Sequence, residues 1–221
     1  MSIAQNLQKI KSVLPENVTL VAVSKFHPVS ALKEAYDAGQ RIFGESRVQE
    51  LMTKQPALPA DIEWHFIGTL QRNKIKYIAP YIHTIHSIDT LELLHEVNKY
   101  AAKNNRIINA FLEVHIAKES SKHGFSLDEC LSLFQQKQLM NFPNVYICGL
   151  MGMATFTDDQ EQVVQEFKSL YDLFTEIKSS GYADNYFTEL SMGMSDDYQL
   201  AIQNGSTMIR MGTSIFGQRE Y

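Results

Sequence analysis

Eight short runs rich in β-branched and aromatic residues alternate along this chain with stretches of helical spacing. That alternation restricts the fold more than any other feature. The runs lie at 19–24 (TLVAVS), 41–45 (RIFGE), 63–68 (EWHFIG), 83–88 (HTIHSI), 108–116 (INAFLEVHI), 145–151 (VYICGLM), 186–191 (YFTELS) and 207–212 (TMIRMG). Helical patterns separate them at 28–38, 46–54, 71–80, 89–104, 126–139, 159–180 and 195–203. Ahead of the first run, Ile3, Leu7, Ile10 and Leu14 recur at helical spacing. Strands joined by helix-length connections pair in parallel, because a tight turn cannot make a parallel crossover.

Eight such strands close into a barrel more naturally than they form an open sheet, and 221 residues suit one barrel. The expected fold is therefore α/β: a single (β/α)8 TIM-type barrel with an extra N-terminal helix, one domain over 1–221. The alternative, an open doubly wound sheet, carries a glycine-rich phosphate turn after its first strand. Here that turn reads Ser24-Lys25-Phe26-His27-Pro28, without glycine.

The formal charge of −5 argues against a nucleic-acid partner, which needs a basic face. No apolar run reaches membrane-spanning length, and the N-terminus lacks a signal-peptide pattern. Cys130 and Cys148, far apart, read as reduced thiols of a cytoplasmic protein. The partner is expected to be a small molecule or another protein.

In a parallel barrel, function gathers at the C-terminal ends of the strands. Lys25 ends the first strand, where partial burial would lower its pKa and make the amine nucleophilic toward an aldehyde. Alone, it reads far more readily as a strand-end lysine reaching back to water. Ser191-Met192-Gly193-Met194-Ser195-Asp196 follows strand seven, with a hydroxyl, a glycine and free N–H groups suited to an anion. The same stretch also reads as an N-cap and first turn at Ser195. Arg210-Met211-Gly212-Thr213-Ser214 ends strand eight with similar chemistry. Barrels frequently bind phosphate between loops seven and eight. Arg210 either serves the site or pairs with an inward carboxylate such as Glu189. Together these residues describe a site for a phosphorylated aldehyde. His83 and His86, three apart in a strand, are expected on opposite faces, His65 and His115 read as satisfied barrel histidines, and no metal is expected. Arg72, Lys74 and Lys76 read as a solvated face.

The chain resembles the YggS/PROSC-type pyridoxal 5′-phosphate (PLP)-binding proteins, the PLP homeostasis family. The resemblance rests on LVAVSK at 20–25, FGE at 43–45, VQE at 48–50 and WHFIGTLQRNK at 64–74. It continues through SKHG at 121–124, GLM at 149–151, LSMGMSDD at 190–197 and GSTMIRMGTSIFG at 205–217. It implies a barrel like the N-terminal domain of alanine racemase, with PLP held as a Schiff base on Lys25. It further implies phosphate contacts from Ser191, Gly193, Gly212 and Thr213, Met192 among the cofactor-binding residues, and Arg210 facing the pyridine nitrogen. Ser46 and His65 are further candidates for the cofactor site. Where the family usually reads GEN, this chain has Ser46, which puts a polar contact from that position in doubt. Residues 151–155 (MGMAT) also depart from the pattern.

The resemblance implies intracellular PLP homeostasis without catalytic turnover, with PLP-dependent apo-enzymes as recipients. The alternative is a PLP-dependent amino-acid racemase. Two-base racemisation needs a proton carrier on each face of the substrate. In the related racemases a tyrosine from a second domain serves one face. The chain ends at Tyr221, just after the eighth strand, which is expected to leave no room for such a domain. A barrel binding some other phosphorylated ligand would make Lys25 incidental.

Overall fold

The computed structural model describes residues 2–118 and 123–218; Ser121 and Lys122 of the SKHG motif and the terminal Tyr221 lie outside the described residues. Among them, eight strands pair in chain order, all parallel, into a closed barrel. They are β1 (Thr19–Val23), β2 (Ile42–Glu45), β3 (Glu63–Phe66), β4 (Thr84–Ile88), β5 (Ile108–Glu113), β6 (Val145–Met151), β7 (Glu189–Ser191) and β8 (Met208–Met211). The barrel closes through β8 and β1, with Val21 opposite Arg210 and Ala22 opposite Met211.

The helices are α1 (Ile3–Lys11), α2 (Val29–Asp37), α3 (Val48–Lys54), α4 (Ile75–Ile78), α5 (Leu91–Lys103), α6 (Leu127–Gln135), α7 (Gln160–Ser179), α8 (Tyr198–Gln203) and α9 (Thr213–Phe216). Local chemistry explains several boundaries. Ser2 with Gln5 and Ser126 with Glu129 form capping boxes that start α1 and α6. Thr90 and Asp159 cap α5 and α7 by accepting backbone N–H bonds.

Several boundaries differ from expectation. The stretch 71–80 is a 3₁₀ turn, Arg72–Lys74, followed by the short α4, because Pro80 has no N–H with which to continue the helical ladder after Ala79. The helix after β7 begins at Tyr198, because Asp197 turns its carboxylate back to the Met194 N–H (2.6 Å) and keeps the preceding loop open. The final turn, α9, was not anticipated in a segment read as the end of the last strand.

Alternation along the strands separates two apolar layers. Leu20, Ala22, Phe43, Trp64, Leu112, Leu150, Leu190 and Ile209 pack outward under the helices. Val21, Phe111, Met151 and Met208 form a small separate cluster inside the barrel. Among the other inward positions, His65, His86, Ser191 and Arg210 are polar and buried, and they carry the chemistry. Cys130 is buried and Cys148 half-buried, both as free thiols. Among the described residues no helix is long and apolar enough to cross a membrane.

Candidate functional site

The register of three neighbouring strands assembles one rim of the C-terminal mouth. Ser191 ends β7, and the Arg210 N–H on β8 donates to the Gly193 carbonyl at 3.0 Å. Gly212 packs against Val23 on β1, where an added Cβ would lie 3.2 Å from the Val23 carbonyl oxygen. Lys25 follows two residues later and is half-buried. Lys25, Ser191, Met192, Gly193, Arg210, Gly212 and Thr213 are thus gathered on adjacent strands, although they span most of the sequence.

Arg210 is the electrostatic centre of this rim. Its guanidinium donates from Nη1 to Ser191 Oγ at 2.6 Å and from Nη2 to the Gly152 carbonyl at 3.1 Å. Burial lowers its pKa to about 10, opposed by the nearby carboxylates of Asp197 and Glu113, so it remains cationic at neutral pH. Glu189 takes no part: its carboxylate accepts from Thr207 Oγ1 at 2.8 Å. The purely structural Arg210–Glu189 pair is therefore not formed.

Backbone shape reinforces the rim. Gly193 sits at φ +97°, and a Cβ there would come within 2.6 Å of the Ala201 side chain. Glycine therefore lets the β7–α8 loop approach both α8 and whatever lies above the mouth. Phe26, next to Lys25, has φ 68°, a strained conformation for an aromatic residue. Its N–H is held by the Glu50 carboxylate at 2.8 Å.

Behind Lys25 lies a buried network that the sequence did not disclose. Lys54 donates to Glu45 Oε1 (2.7 Å), Glu50 Oε2 (3.0 Å) and the Ser24 carbonyl (2.9 Å). Ser24 Oγ donates to the same Glu45 oxygen at 2.6 Å. Burial pushes the Glu45 pKa up, and Lys54 opposes that shift. The network anchors the turn that presents Lys25.

Other residues fall where strand alternation, but not local motif, would have put them. His86 Nδ1 lies 3.1 Å from Ser191 Oγ, and its Nε2 lies 2.9 Å from His65 Nδ1. His65 is therefore placed beneath His86 and does not touch Ser191. Ser46 is half-buried at the mouth beside Gly68, where an added Cβ would meet the Ser46 carbonyl oxygen at 2.4 Å. Glu113 ends β5 inside the barrel, and burial together with Asp89 raises its pKa to about 7, against Arg210 and His123. A single acid within the apolar run INAFLEV was the signal for it. A cavity of about 320 Å³ opens over Gly68, Glu113, His115, Met153 and Met194.

The comparisons with known proteins agree with this architecture. The family model "Alanine racemase, N-terminal domain" matches residues 1–220. The pyridoxal phosphate homeostasis protein of Pasteurella multocida is 39% identical over 236 residues, covering 100% of this chain and 99% of that protein. The protein of the same name from Schizosaccharomyces pombe is 40% identical, covering 92% and 85%. Among solved structures, PipY of Synechococcus elongatus PCC7942 with PLP bound superposes with a TM-score of 0.88 at 37% identity, covering 98% of this chain and all of that one. Alanine racemase from Clostridium difficile 630 shares the fold at a TM-score of 0.79 and 15% identity, the match covering 56% of that enzyme. With relatives matched end to end and a closed barrel of matching topology, the chain belongs to the pyridoxal phosphate homeostasis protein family, built on the alanine racemase N-terminal fold.

Proposed function

We propose that this chain binds PLP at the C-terminal mouth of its barrel, with Lys25 as the amine that takes the aldehyde, and holds it for delivery to PLP-dependent apo-enzymes without turning over an amino acid. One observation carries the reading: the β7–β8–β1 register brings an anion-compatible glycine loop, a buried arginine and a strand-end lysine to one rim. The PLP bound in the homologous PipY structure supports it.

The residues present suit the group. Ser191, Gly193, Gly212 and Thr213 would hold the phosphate, through backbone that approaches closely because glycine leaves the space open, while Met192, its N–H donated to the Met208 carbonyl, fixes the loop beneath them. When bound, PLP supplies an aldehyde that condenses with amines and a ring that withdraws electrons from the attached carbon. Arg210, itself cationic, would keep a proton off the pyridine nitrogen it faces, which weakens that withdrawal and disfavours turnover. Ser46 stands beside the mouth as a lesser contact, and His65 acts only through His86.

A racemase reading has one specific observation in its favour: Glu113, with a pKa of about 7 inside the mouth, is poised to carry a proton near neutrality. Two measurements decide. Adding PLP should give a visible absorbance band that Lys25→Ala abolishes; an unchanged spectrum in the variant would remove Lys25 from the site. PLP-loaded protein in D₂O with a panel of L-amino acids should show no deuterium at the α-carbon. Uptake that depends on Lys25 and Glu113 would establish the racemase instead.

A further inference from the structure

We propose that Glu63, His65 and His83 form a binding site for a divalent transition cation, Zn²⁺ by its ligand set, at the N-terminal mouth of the barrel, opposite the end that carries Lys25. Glu63 opens β3, His65 lies two residues along the same face, and His83 immediately precedes β4. One ligand atom from each lies within 4.8 Å of the other two. Two histidines and one carboxylate are a known three-ligand zinc set, with a fourth position left for water.

The state of each ligand fits. Nδ1 of His65 is occupied by His86, while Nε2 is buried and has no hydrogen-bond partner among the described residues. His65 is buried, which disfavours an imidazolium and leaves one ring nitrogen with a lone pair to offer. Nδ1 of His83 pairs with Thr84 Oγ1 at 2.8 Å, leaving Nε2 to point at Glu63 Oε2, 3.7 Å away. This outer-sphere anchoring is how metal-binding histidines are held in one tautomer. The His65 and His83 rings are parallel, 2° apart in plane and 5.7 Å between centroids.

Ligands sharing one zinc ion sit roughly 3.3 Å apart, so the cluster must tighten by up to about 1.5 Å. His65 is fixed in the core, but the His83 and Glu63 side chains are 42% and 47% exposed and can close on it. Without an ion, His65 Nε2 is an unpaired buried polar atom, a costly state. An ion resolves it. Coordination at Nε2 puts the His65 proton on Nδ1, which then donates to His86 Nε2. His86 in turn donates from Nδ1 to Ser191 Oγ, so occupancy of the lower mouth sets the hydrogen-bond direction at the upper one.

The test is calorimetric titration of Zn²⁺ into the full chain after treatment with a chelating resin, with Co²⁺ as a visible probe. One ion per chain should bind with micromolar affinity, and Co²⁺ should give ligand-field absorption. His83→Ala and Glu63→Gln change exposed side chains and should each weaken Zn²⁺ binding about 10- to 100-fold. His95→Ala, an exposed histidine outside the cluster, should bind as the parent does. Absence of saturable Zn²⁺ binding, or undiminished affinity in His83→Ala, overturns the site.

Discussion

Arg210 and His86 meet on a single oxygen: Ser191 Oγ accepts from Arg210 Nη1 at 2.6 Å and lies 3.1 Å from His86 Nδ1. Three strands, β4, β7 and β8, are thereby tied inside the barrel by one hydroxyl. Arg210→Gln removes the charged donor and leaves Ser191 and the Gly152 carbonyl less well satisfied. A hydrogen bond from a charged group contributes about 1.5–3 kcal/mol, and a loss of that size should appear in urea unfolding. The absorption spectrum of PLP-loaded protein should shift in the same variant; an unchanged spectrum would place Arg210 outside the cofactor's reach.

Gly193 holds φ +97° with α8 pressed against it. Gly193→Ala adds a Cβ 2.6 Å from the Ala201 side chain in a backbone region that L-residues rarely adopt. Stability should fall by about 1–3 kcal/mol, and PLP affinity should fall with it as the loop is pushed off the rim. Thermal unfolding and PLP titration read the two effects separately.

Glu113 makes stability depend on pH in a definite direction. Its pKa in the native protein is about 7, against an ordinary value of 4.5. Below 4.5 the carboxyl is protonated whether the chain is folded or not. Between 4.5 and 7 the unfolded chain releases the proton while the native state keeps it, so this contribution is lost as pH rises and is gone above 7. The change amounts to roughly 3 kcal/mol at 1.36 kcal/mol per pKa unit. Glu113→Gln should therefore gain stability over the parent between pH 5 and pH 8, by denaturant unfolding. A constant difference across that range would contradict the raised pKa.

Lys54 supports the Lys25 turn from behind through Glu45, Glu50 and the Ser24 carbonyl. Lys54→Ala leaves the fully buried Glu45 carboxylate without its cation, and breaking such a pair costs about 3–5 kcal/mol. The Tm should drop accordingly. Lys54→Arg should recover part of that stability, since it restores the charge with a different geometry.

The parts of this fold legible in the sequence were those with a local period. Each of the eight strands overlaps its expected run, because alternation and β-branched composition are properties of neighbouring residues. The long helices with clear caps, such as α5 and α7, agree to within two residues at either end. Short elements are less legible. The 71–80 segment and the start of α8 turn on Pro80 and on the Asp197 carboxylate, single residues that outweigh a weak helical pattern.

The gathering of Lys25, Ser191, Gly193, Arg210 and Gly212 was legible for a different reason. Strand ends in a parallel barrel converge on one mouth whatever the intervening sequence, so chain order was enough to bring these residues together. What chain order could not supply is which inward residues touch across the barrel. The Ser191–His86–His65 line, the Lys54–Glu45–Glu50 network and the Glu63–His65–His83 cluster each join residues from different elements. Their partners are chosen by strand register and barrel closure rather than by sequence neighbours. The period of the sequence thus determined the topology and the rim. The closed tertiary structure alone decided the burial, pairing and protonation of its interior, because those depend on which side chains lose water together.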